Sequence, residues 1–348
     1  MPLIGVMDKQ PQMPGALHHS EEVLVIGAGA LGGFLAAQLA GSGQRVSVVA
    51  RGQRRADIEQ HGILLDMDNQ RRVVRINCHS STAKAQTAGL VIIATKSASL
   101  GEVLAELGSW HRPARAVLTL QNGVDAPDHV ALGLPTARVL AGRVHGFFVL
   151  VDGVVVHTGV PPEIAFGPWR SADNTDADLL AARFAAAGIP FSRPSDIAAT
   201  LWEKFLLAST IGGVGAALGI PVGRLRESLE SWSLLGGAMQ EIHELAVARG
   251  VQLPEGCVAS TLDFVAGFPQ EATSSLQRDL LERRESEFAV LTGAVVRMGR
   301  ELGLHQPVHD RILDLLTQNG LLKPELVSPE SRMLPARWSG PLRVTRPG

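Results

Sequence analysis

The 348-residue chain contains no tyrosine and only two cysteines, Cys78 and Cys257. The absence of tyrosine excludes every mechanism with a tyrosine general acid, including those of short-chain dehydrogenases and aldo-keto reductases. Two distant cysteines exclude a disulfide framework and a cysteine-rich zinc site, and no histidine pair has the HExxH spacing of a metal site. The net charge of −2 gives no reason to expect a nucleic-acid partner.

Lysine is also scarce, and long apolar runs are missing. Five of the 32 basic residues are lysines, namely Lys9, Lys84, Lys96, Lys204 and Lys323. No apolar run approaches the length of roughly 18 residues that a transmembrane helix needs, so no membrane span is predicted. Residues 1–20 hold three prolines and no apolar core of a signal peptide, which favours a cytoplasmic protein. We expect 1–20 and the proline-rich segment 324–348 to be loose extensions.

Short β-branched runs alternate with alanine-rich stretches from Val23 to about Ser192. The runs are VLVIG, RVSVVAR, LVIIATK, AVLTLQN and ARVLAG. This alternation predicts βαβ units with a buried parallel sheet, and Asp152-Gly153 between apolar runs predicts an added hairpin. After Pro194 helical patterns follow, at about 196–211, 228–249, 257–267 and 274–303. The predicted fold is α/β, with a Rossmann-type dinucleotide-binding domain over 21–193 and an all-helical domain over 194–323.

A glycine motif follows the first of these strands. Gly27, Gly29 and Gly32 have the GxGxxG spacing, with Ala30 and Leu31 inside it, and the motif stands between a strand and a helix. Gly27 allows a tight turn, Gly29 lets the backbone approach a pyrophosphate, and Gly32 lets the helix pack closely on the strand. The motif therefore predicts a dinucleotide site; the alternative is a glycine-rich turn without a ligand.

Polar residues end three of the predicted strands. The second strand ends at Arg51, where an NAD enzyme carries an acidic residue for the ribose 2′-hydroxyl. Arg51, followed by the Arg54-Arg55 pair, favours a 2′-phosphate, so NADPH is the expected cofactor; a solvated cation is the alternative. Lys96 and Asn122 end two further strands. Because ligands bind outside the carboxyl ends of such strands, both are expected to face the nicotinamide half, unless they are satisfied locally.

Two charged residues fall on apolar faces of helices predicted in the second domain. At about 100° per residue, Lys204 shares its face with Ile197, Leu201, Ala208 and Ile211, and Glu287 shares its face with Leu276, Leu280, Leu291, Ala294 and Met298. Since burying an isolated charge is costly, the two could be partners, could both line a wet cleft, or Glu287 could bind Arg283 one turn back. A lysine, unlike an arginine, can release its proton, as a general acid must. The spacing Ser274-x-x-Gln277 predicts a helix cap before Glu287.

Taken together, these residues resemble the ketopantoate reductases (2-dehydropantoate 2-reductases), from about Val23 to Leu315. The matching segments are GAGALGGFLAAQLA, Arg51, ATK ending at Lys96, LQNGV with Asn122, VHTG at 156–159, LWEKF around Lys204, and SSLQRDLLERRESEFAVLTGAVVRMGRELG. The resemblance implies an NADPH-binding Rossmann domain, a helical C-terminal domain and a 2-oxo acid substrate in the cleft between them. It also implies a role in pantothenate biosynthesis.

The resemblance further implies roles for single residues. Lys204 matches the general acid that protonates the keto oxygen as hydride arrives at C2, and Glu287 matches the acidic residue in contact with that lysine and the substrate. Ser275 matches a residue that holds the substrate carboxylate. Asn122 and Lys96 match groups that line the nicotinamide and substrate site.

The chain departs from the family pattern on one helical face. Typical members carry asparagine four and eight residues after the catalytic lysine, where this chain has Ala208 and Gly212, with Ser209 and Thr210 pointing elsewhere. We expect Ala208, Gly212 and Gly213 to form a smoother, more apolar pocket wall. Two alternatives to ketopantoate reduction therefore stay open: a same-family NADPH-dependent reductase of a different 2-oxo acid, and a non-catalytic dinucleotide-binding sensor. The sequence leaves the oligomeric state undecided, a homo-oligomer included.

Overall fold

The structure, a computed structural model, describes residues 21–67, 70–85, 88–111 and 113–322. These residues form two compact units. The first runs to Gln121 and continues over Ala126–Ile197, and the second combines Asn122–Asp125 with the chain from Ala198 onward. The sequence places the boundary after residue 193, a few residues before the structure does, and it assigns Asn122–Asp125 to the first domain. The predicted extensions 1–20 and 324–348 lie outside the described residues.

The first unit is an α/β structure with ten strands in the described part of the chain. Its elements are β1 (Glu22–Ile26), α1 (Ala30–Gly41), β2 (Val46–Val49), α2 (Gly52–His61), β3 (Ile63–Met67), β4 (Gln70–Val74), β5 (Asn77–His79), β6 (Ala88–Ile93), α3 (Leu100–Gly108), β7 (Ala116–Thr119), α4 (Ala126–Gly133), β8 (Arg138–Val151), β9 (Val154–Pro168), α5 (Thr175–Ala186) and β10 (Phe191–Ser192).

Six of the strands form a parallel sheet in the order β5-β2-β1-β6-β7-β8. This is the strand order of a Rossmann fold, so the predicted fold class is confirmed. The central strands are apolar along their whole length because helices cover both faces, and Val23, Val25 and Ile92 are fully buried. The carboxyl ends of β1, β6 and β7 lie at one edge, where a ligand of such a sheet binds.

The sheet continues beyond β8 through the predicted hairpin. β9 pairs antiparallel with β8, and Asp152 and Gly153 form the turn with φ of 48° and 78°. Two consecutive residues with positive φ suit the right-handed twist of the strands, which is why Asp-Gly is favoured there. β3 and β10 each pair parallel with β9, and β4 pairs antiparallel with β3. The sequence did not predict β3, β4, β5 or β10, which are short or carry exposed charges.

The second unit is helical in the described residues. Its helices are α6 (Ile197–Leu218), α7 (Leu229–Ala248), α8 (Cys257–Ala266), α9 (Ser275–Leu281), α10 (Thr292–Glu301) and α11 (Pro307–Gln318). The all-helical prediction is confirmed, and α6 runs one to two turns further than predicted.

The prediction of one helix over 274–303 is wrong. The first helix of this segment, α9, ends at Leu281. Arg283 has a φ of 54°, its N–H bonds the carbonyl of Leu280, and the N–H of Arg284 bonds the carbonyl of Asp279. This pair of bonds is a Schellman motif, which satisfies the last carbonyls of a helix. The residues that follow, 282–287, are polar or charged, so a continued helix would have no apolar side chain to bury there.

Glycines on α6 allow the other helices to pack closely on it. A Cβ at Gly212 would lie 2.7 Å from Leu276 Cδ2, and a Cβ at Gly213 would lie 2.7 Å from Thr292 Cγ2. The prediction that Gly212 and Gly213 form a pocket wall is therefore wrong, because both are buried in helix packing. Ala208 is half-buried, and its place in a pocket wall stays a prediction.

Candidate active site

The glycine motif forms a cradle at the start of α1. Gly27 has a φ of 95°, and a Cβ there would lie 2.8 Å from Thr95 Cγ2. A Cβ at Gly32 would lie 1.8 Å from the carbonyl oxygen of Gly27, so no side chain fits where the helix meets the strand. Beside Gly29, by contrast, no atom of the described residues lies within 4 Å of such a Cβ, apart from those of Gly29 and its two chain neighbours. Open space at the N-terminus of a helix without a side-chain cap fits a bound pyrophosphate.

Arg51 lies at the start of α2, two residues after β2 ends. Its guanidinium binds Glu102 Oε2 at 2.8 Å and Glu106 Oε1 at 3.1 Å, both from α3. The hydrogen bond that Arg51 donates to Glu102, followed by the charges of both carboxylates, raises the pKa of Arg51 although burial opposes it. The side chain of Arg51 is about half exposed, so a 2′-phosphate can reach its guanidinium. The phosphate would then compete with Glu102 and Glu106, which already neutralise that charge.

The neighbouring arginines differ in their contacts. Arg54 donates from Nε to the carbonyl of Ala28 at 2.7 Å and from Nη1 to the carbonyl of Gly153 at 2.8 Å. Arg54 therefore links the glycine motif to the hairpin turn, and its burial lowers its pKa. Its Nη2 atom is buried and has no hydrogen-bond partner among the described residues. Arg55 binds Glu59 on the same helix instead.

Lys96 lies at the carboxyl end of β6, as predicted, and its side chain is exposed. Sequence reasoning missed the buried Gln121 beside it. The side-chain amide of Gln121 donates to the carbonyl of Lys96 and to Thr95 Oγ1, each at 3.3 Å. Gln121 thereby links the carboxyl ends of β6 and β7. The LQN sequence at the end of a strand was a signal for it, since both of its amide residues follow an apolar run.

Lys204, Asn122 and Glu287 form a hydrogen-bonded chain in the second unit. Lys204 Nζ donates to Asn122 Oδ1 at 2.9 Å, and Asn122 Nδ2 donates to Glu287 Oε2 at 2.6 Å. All three side chains are half-buried, and they come from α6, from the segment after β7 and from the segment after α9. An ammonium only donates and a carboxylate only accepts, so the two charges fix the orientation of the amide between them.

The sequence singled out Lys204 and Glu287, which both belong to this hydrogen-bonded chain, but for Glu287 it did so for an incorrect reason. Glu287 precedes a short 3-10 helix, Phe288–Val290, so the helical count that placed it on an apolar face does not apply. The alternative that Glu287 binds Arg283 one helical turn back also loses its basis, because α9 ends at Leu281, before Arg283. Sequence spacing did not predict the amide of Asn122 between the lysine and the glutamate.

Ser275 is the first residue of α9 and is exposed. The predicted cap is present at Ser274, whose Oγ accepts from the N–H of Gln277 at 3.1 Å. The side chain of Gln277 does not complete a capping box, since it donates to the carbonyl of Ile220 at 2.7 Å. A role of Ser275 toward the substrate carboxylate stays a prediction.

Asp125 forms an ion-paired cluster that the sequence did not reveal. Its carboxylate binds Arg249 Nη1 at 2.7 Å and also binds Arg297 Nη2. Burial alone would raise the pKa of Asp125, but the charges of Arg297 and Arg249 lower it below the ordinary value. Asp125 stands three residues after Asn122, so the cluster and the hydrogen-bonded chain share one short segment.

The strand order and the glycine cradle define the class of proteins with a Rossmann-type dinucleotide-binding domain. Within that class the chain belongs to the ketopantoate reductase PanE/ApbA family. The family model matches residues 23–171, and the model of the C-terminal part of ketopantoate reductase PanE/ApbA matches residues 196–319. The protein is therefore an oxidoreductase of a pyridine-nucleotide-dependent family.

Curated relatives and solved structures agree with this assignment. The 2-dehydropantoate 2-reductase of Halobacterium salinarum is 29% identical, over 84% of this chain and 97% of the relative. A PanE/ApbA family ketopantoate reductase from Ralstonia eutropha superimposes with a TM-score of 0.75 at 29% identity, covering 85% of this chain and 97% of its own. A D-mandelate dehydrogenase in complex with NADH shares the fold, with a TM-score of 0.75 at 19% identity, 86% of this chain and 99% of its own. None of the helices in the described residues is long and apolar enough to cross a membrane.

Proposed function

We propose that the protein reduces 2-dehydropantoate to pantoate with NADPH, and that Lys204 is the general acid. The observation that carries this proposal is the chain Lys204–Asn122–Glu287, in which an amide and a carboxylate orient an ammonium. The names of the curated relatives, which include 2-dehydropantoate 2-reductases from Halobacterium salinarum and Mesorhizobium japonicum, supply the substrate. Pantoate formation would assign the enzyme to pantothenate biosynthesis.

Lys204 does the proton chemistry in this proposal. The bound nicotinamide supplies the hydride that adds to C2 of the 2-oxo acid. As the C2–O double bond opens, negative charge grows on the keto oxygen, and Lys204 Nζ stabilises that charge and transfers a proton to it. Asn122 fixes the direction of one N–H of Lys204. The ammonium is therefore already oriented before the reaction, and less entropy is lost in reaching the transition state.

Unit 1 would hold the cofactor through backbone and side-chain groups. The open space beside Gly29 takes the pyrophosphate at the N-terminus of α1, where the motif residues Gly27, Ala30, Leu31 and Gly32 shape the turn and the helix start. Arg51 binds the 2′-phosphate, exchanging part of its contact with Glu102 and Glu106 for the new anion. Lys96 contributes a positive charge at the edge of the sheet.

A second candidate keeps the reaction and changes the substrate. The position one turn after Lys204 is Ala208, which offers no hydrogen bond, and the position two turns after it is Gly212, which is buried under Leu276. The substrate hydroxyl of 2-dehydropantoate therefore finds no amide at either position of α6. An unpaired buried hydroxyl costs about 1–3 kcal/mol, so an acid that lacks it is the better fit for this face. A dinucleotide sensor without catalysis is the third candidate, and the retained Lys204, Asn122 and Glu287 argue against it.

Steady-state kinetics with NADPH distinguish the three candidates. The matched substrates are 2-dehydropantoate and 3,3-dimethyl-2-oxobutanoate, which differ only by the 4-hydroxyl. A kcat/KM at least about tenfold higher for 2-dehydropantoate supports the first proposal, since tenfold corresponds to about 1.4 kcal/mol. A higher kcat/KM for the unhydroxylated acid supports the second candidate, a reductase of a different 2-oxo acid. Tight NADPH binding without turnover of these two acids, or of a panel of other 2-oxo acids, would identify a sensor.

A further inference from the structure

Both ends of the segment Asn122–Asp125 are held by side chains of the helical unit. At its start, Asn122 bonds Lys204 and Glu287; at its end, Asp125 bonds Arg249 and Arg297. The middle of the segment lies close to the same unit. Gly123 has a φ of 90°, and a Cβ there would lie 2.7 Å from the carbonyl oxygen of Val290, three residues after Glu287. The segment is thus bonded at both ends, and at Gly123 it leaves no room for a side chain.

The carboxylate of Asp125 is suited to hold this segment in one place. Each of its two oxygens faces a different arginine, Arg249 at the end of α7 and Arg297 on α10. The side chains of the three residues are 15%, 23% and 22% exposed, so water screens the pairs only partly. A displacement of Asp125 would separate two charge-assisted contacts at once, which makes its position well defined.

We propose that Asp125 is a positioning residue for the proton donor. Through Arg249 and Arg297 it fixes the segment, and the segment holds the amide of Asn122 between Lys204 and Glu287. This inference rests on the proposed function, in which Lys204 protonates the keto oxygen. Because a misplacement of about 1 Å can cost roughly 100-fold in rate, a loosened segment lowers kcat although Asp125 touches no reacting atom.

The kinetic test compares two carboxylate-to-amide substitutions, each at a residue that binds Arg297. Asp125→Asn removes the charge that holds the segment; Glu301→Gln removes the other carboxylate bound to Arg297, at 3.0 Å, and leaves the segment untouched. We expect Asp125→Asn to lower kcat roughly 10- to 100-fold with KM for NADPH changed less than about threefold, and Glu301→Gln to keep kcat within about twofold. Equal kcat values for the two variants would overturn the inference. If Asp125→Asn does not fold, Arg297→Gln, which leaves Asp125 paired with Arg249, is judged by the same criterion.

A substrate-free measurement separates this inference from the proposed function. The chain has only five lysines, so the side-chain NMR signals of isotope-labelled lysine are few, and Lys204→Arg identifies the signal of Lys204 by its loss. We expect Asp125→Asn to move or broaden that signal and Glu301→Gln to leave it in place. An unchanged Lys204 signal in Asp125→Asn contradicts the positioning role even if the enzyme reduces 2-oxo acids. If the wild type reduces none, the proposed function fails, and the NMR comparison still decides the positioning role.

Discussion

Lys204 on α6 donates a hydrogen bond of 2.9 Å to the side-chain oxygen of Asn122, which lies 82 residues earlier in the chain. The same amide donates to Glu287, so a single asparagine connects the cation and the anion of the candidate active site. This relationship gives Lys204 a fixed direction, which a general acid needs when charge develops on the substrate oxygen.

Glu287→Gln tests the anionic end of the hydrogen-bonded chain Lys204–Asn122–Glu287. A glutamine both donates and accepts, so it no longer fixes the amide orientation of Asn122, and we expect kcat to fall roughly tenfold, within the range typical of groups that orient a general acid. Glu282→Gln is the matched control, since Glu282 is exposed and binds Arg284. Steady-state kinetics with NADPH and the preferred 2-oxo acid measure both. Equal kcat values in the two variants would remove Glu287 from the mechanism.

Arg51→Ala tests cofactor selection. A 2′-phosphate is present in NADPH and absent from NADH, so the substitution should weaken NADPH binding about tenfold or more and leave NADH nearly unchanged. Arg55→Ala is the control because Arg55 pairs with Glu59 within α2. Dissociation constants from nicotinamide fluorescence give the comparison directly. Loss of affinity for both dinucleotides to the same degree would contradict a contact with the 2′-phosphate.

Gly29→Ala tests the glycine cradle without disturbing the fold. A Cβ at Gly29 meets no described atom within 4 Å, so the protein should keep its Tm while the methyl group occupies the space of the pyrophosphate and weakens NADPH binding. Gly41→Ala at the other end of α1 meets no described atom outside its own helix within 4 Å, so it should leave NADPH binding unchanged and keep or slightly raise the Tm. Thermal unfolding and NADPH titration are the two measurements. Unchanged affinity in Gly29→Ala would place the cofactor elsewhere.

Glu241→Ala tests a buried carboxylate that holds the start of α11. Glu241 accepts hydrogen bonds from the N–H groups of Val308 and His309 and contacts the ring of His309 at 2.6 Å. Its removal leaves buried donors without a partner, so we expect a loss of about 2–4 kcal/mol in the free energy of unfolding. Glu244→Ala, one turn later and exposed, should cost less than about 0.5 kcal/mol. Urea denaturation measures both; similar losses would contradict the capping role.

Local patterns allowed the first unit to be predicted. The positive φ of Gly27 and the contact between Gly32 and the carbonyl of Gly27 are limits within the strand–turn–helix itself, and the apolar strands of the parallel sheet are recognisable by composition alone. Asp152-Gly153 could be predicted for the same reason, because the positive φ values of the turn belong to those two residues. The strands that were missed depend on partners elsewhere in the chain, such as β5 on β2, and none of them is longer than about five residues.

The helical unit was less predictable because its site depends on contacts between distant residues. Apolar residues resume with the same helical period at Leu291, after the polar residues 282–287, and this concealed the end of α9. The positive φ of Arg283 could not be predicted either, because arginine rarely adopts that conformation. Asp125 and Arg249 are 124 residues apart, so no local pattern joins Asn122–Asp125 to the helices. Lys204 was found nevertheless, since a charge on an apolar helix face is costly and therefore conspicuous, whereas Glu287 was singled out by a helical count that does not apply.

The most direct test of the account is kcat for Lys204→Arg, with Lys84→Arg as the control on an exposed lysine. Arginine keeps the positive charge and can still donate hydrogen bonds, but it cannot release its proton at neutral pH, so the substitution removes the proton transfer while it keeps the charge. We expect Lys204→Arg to lose roughly 100-fold or more in kcat while NADPH still binds, and Lys84→Arg to match the wild type. Near-wild-type turnover in Lys204→Arg would contradict the assignment of Lys204 as the general acid.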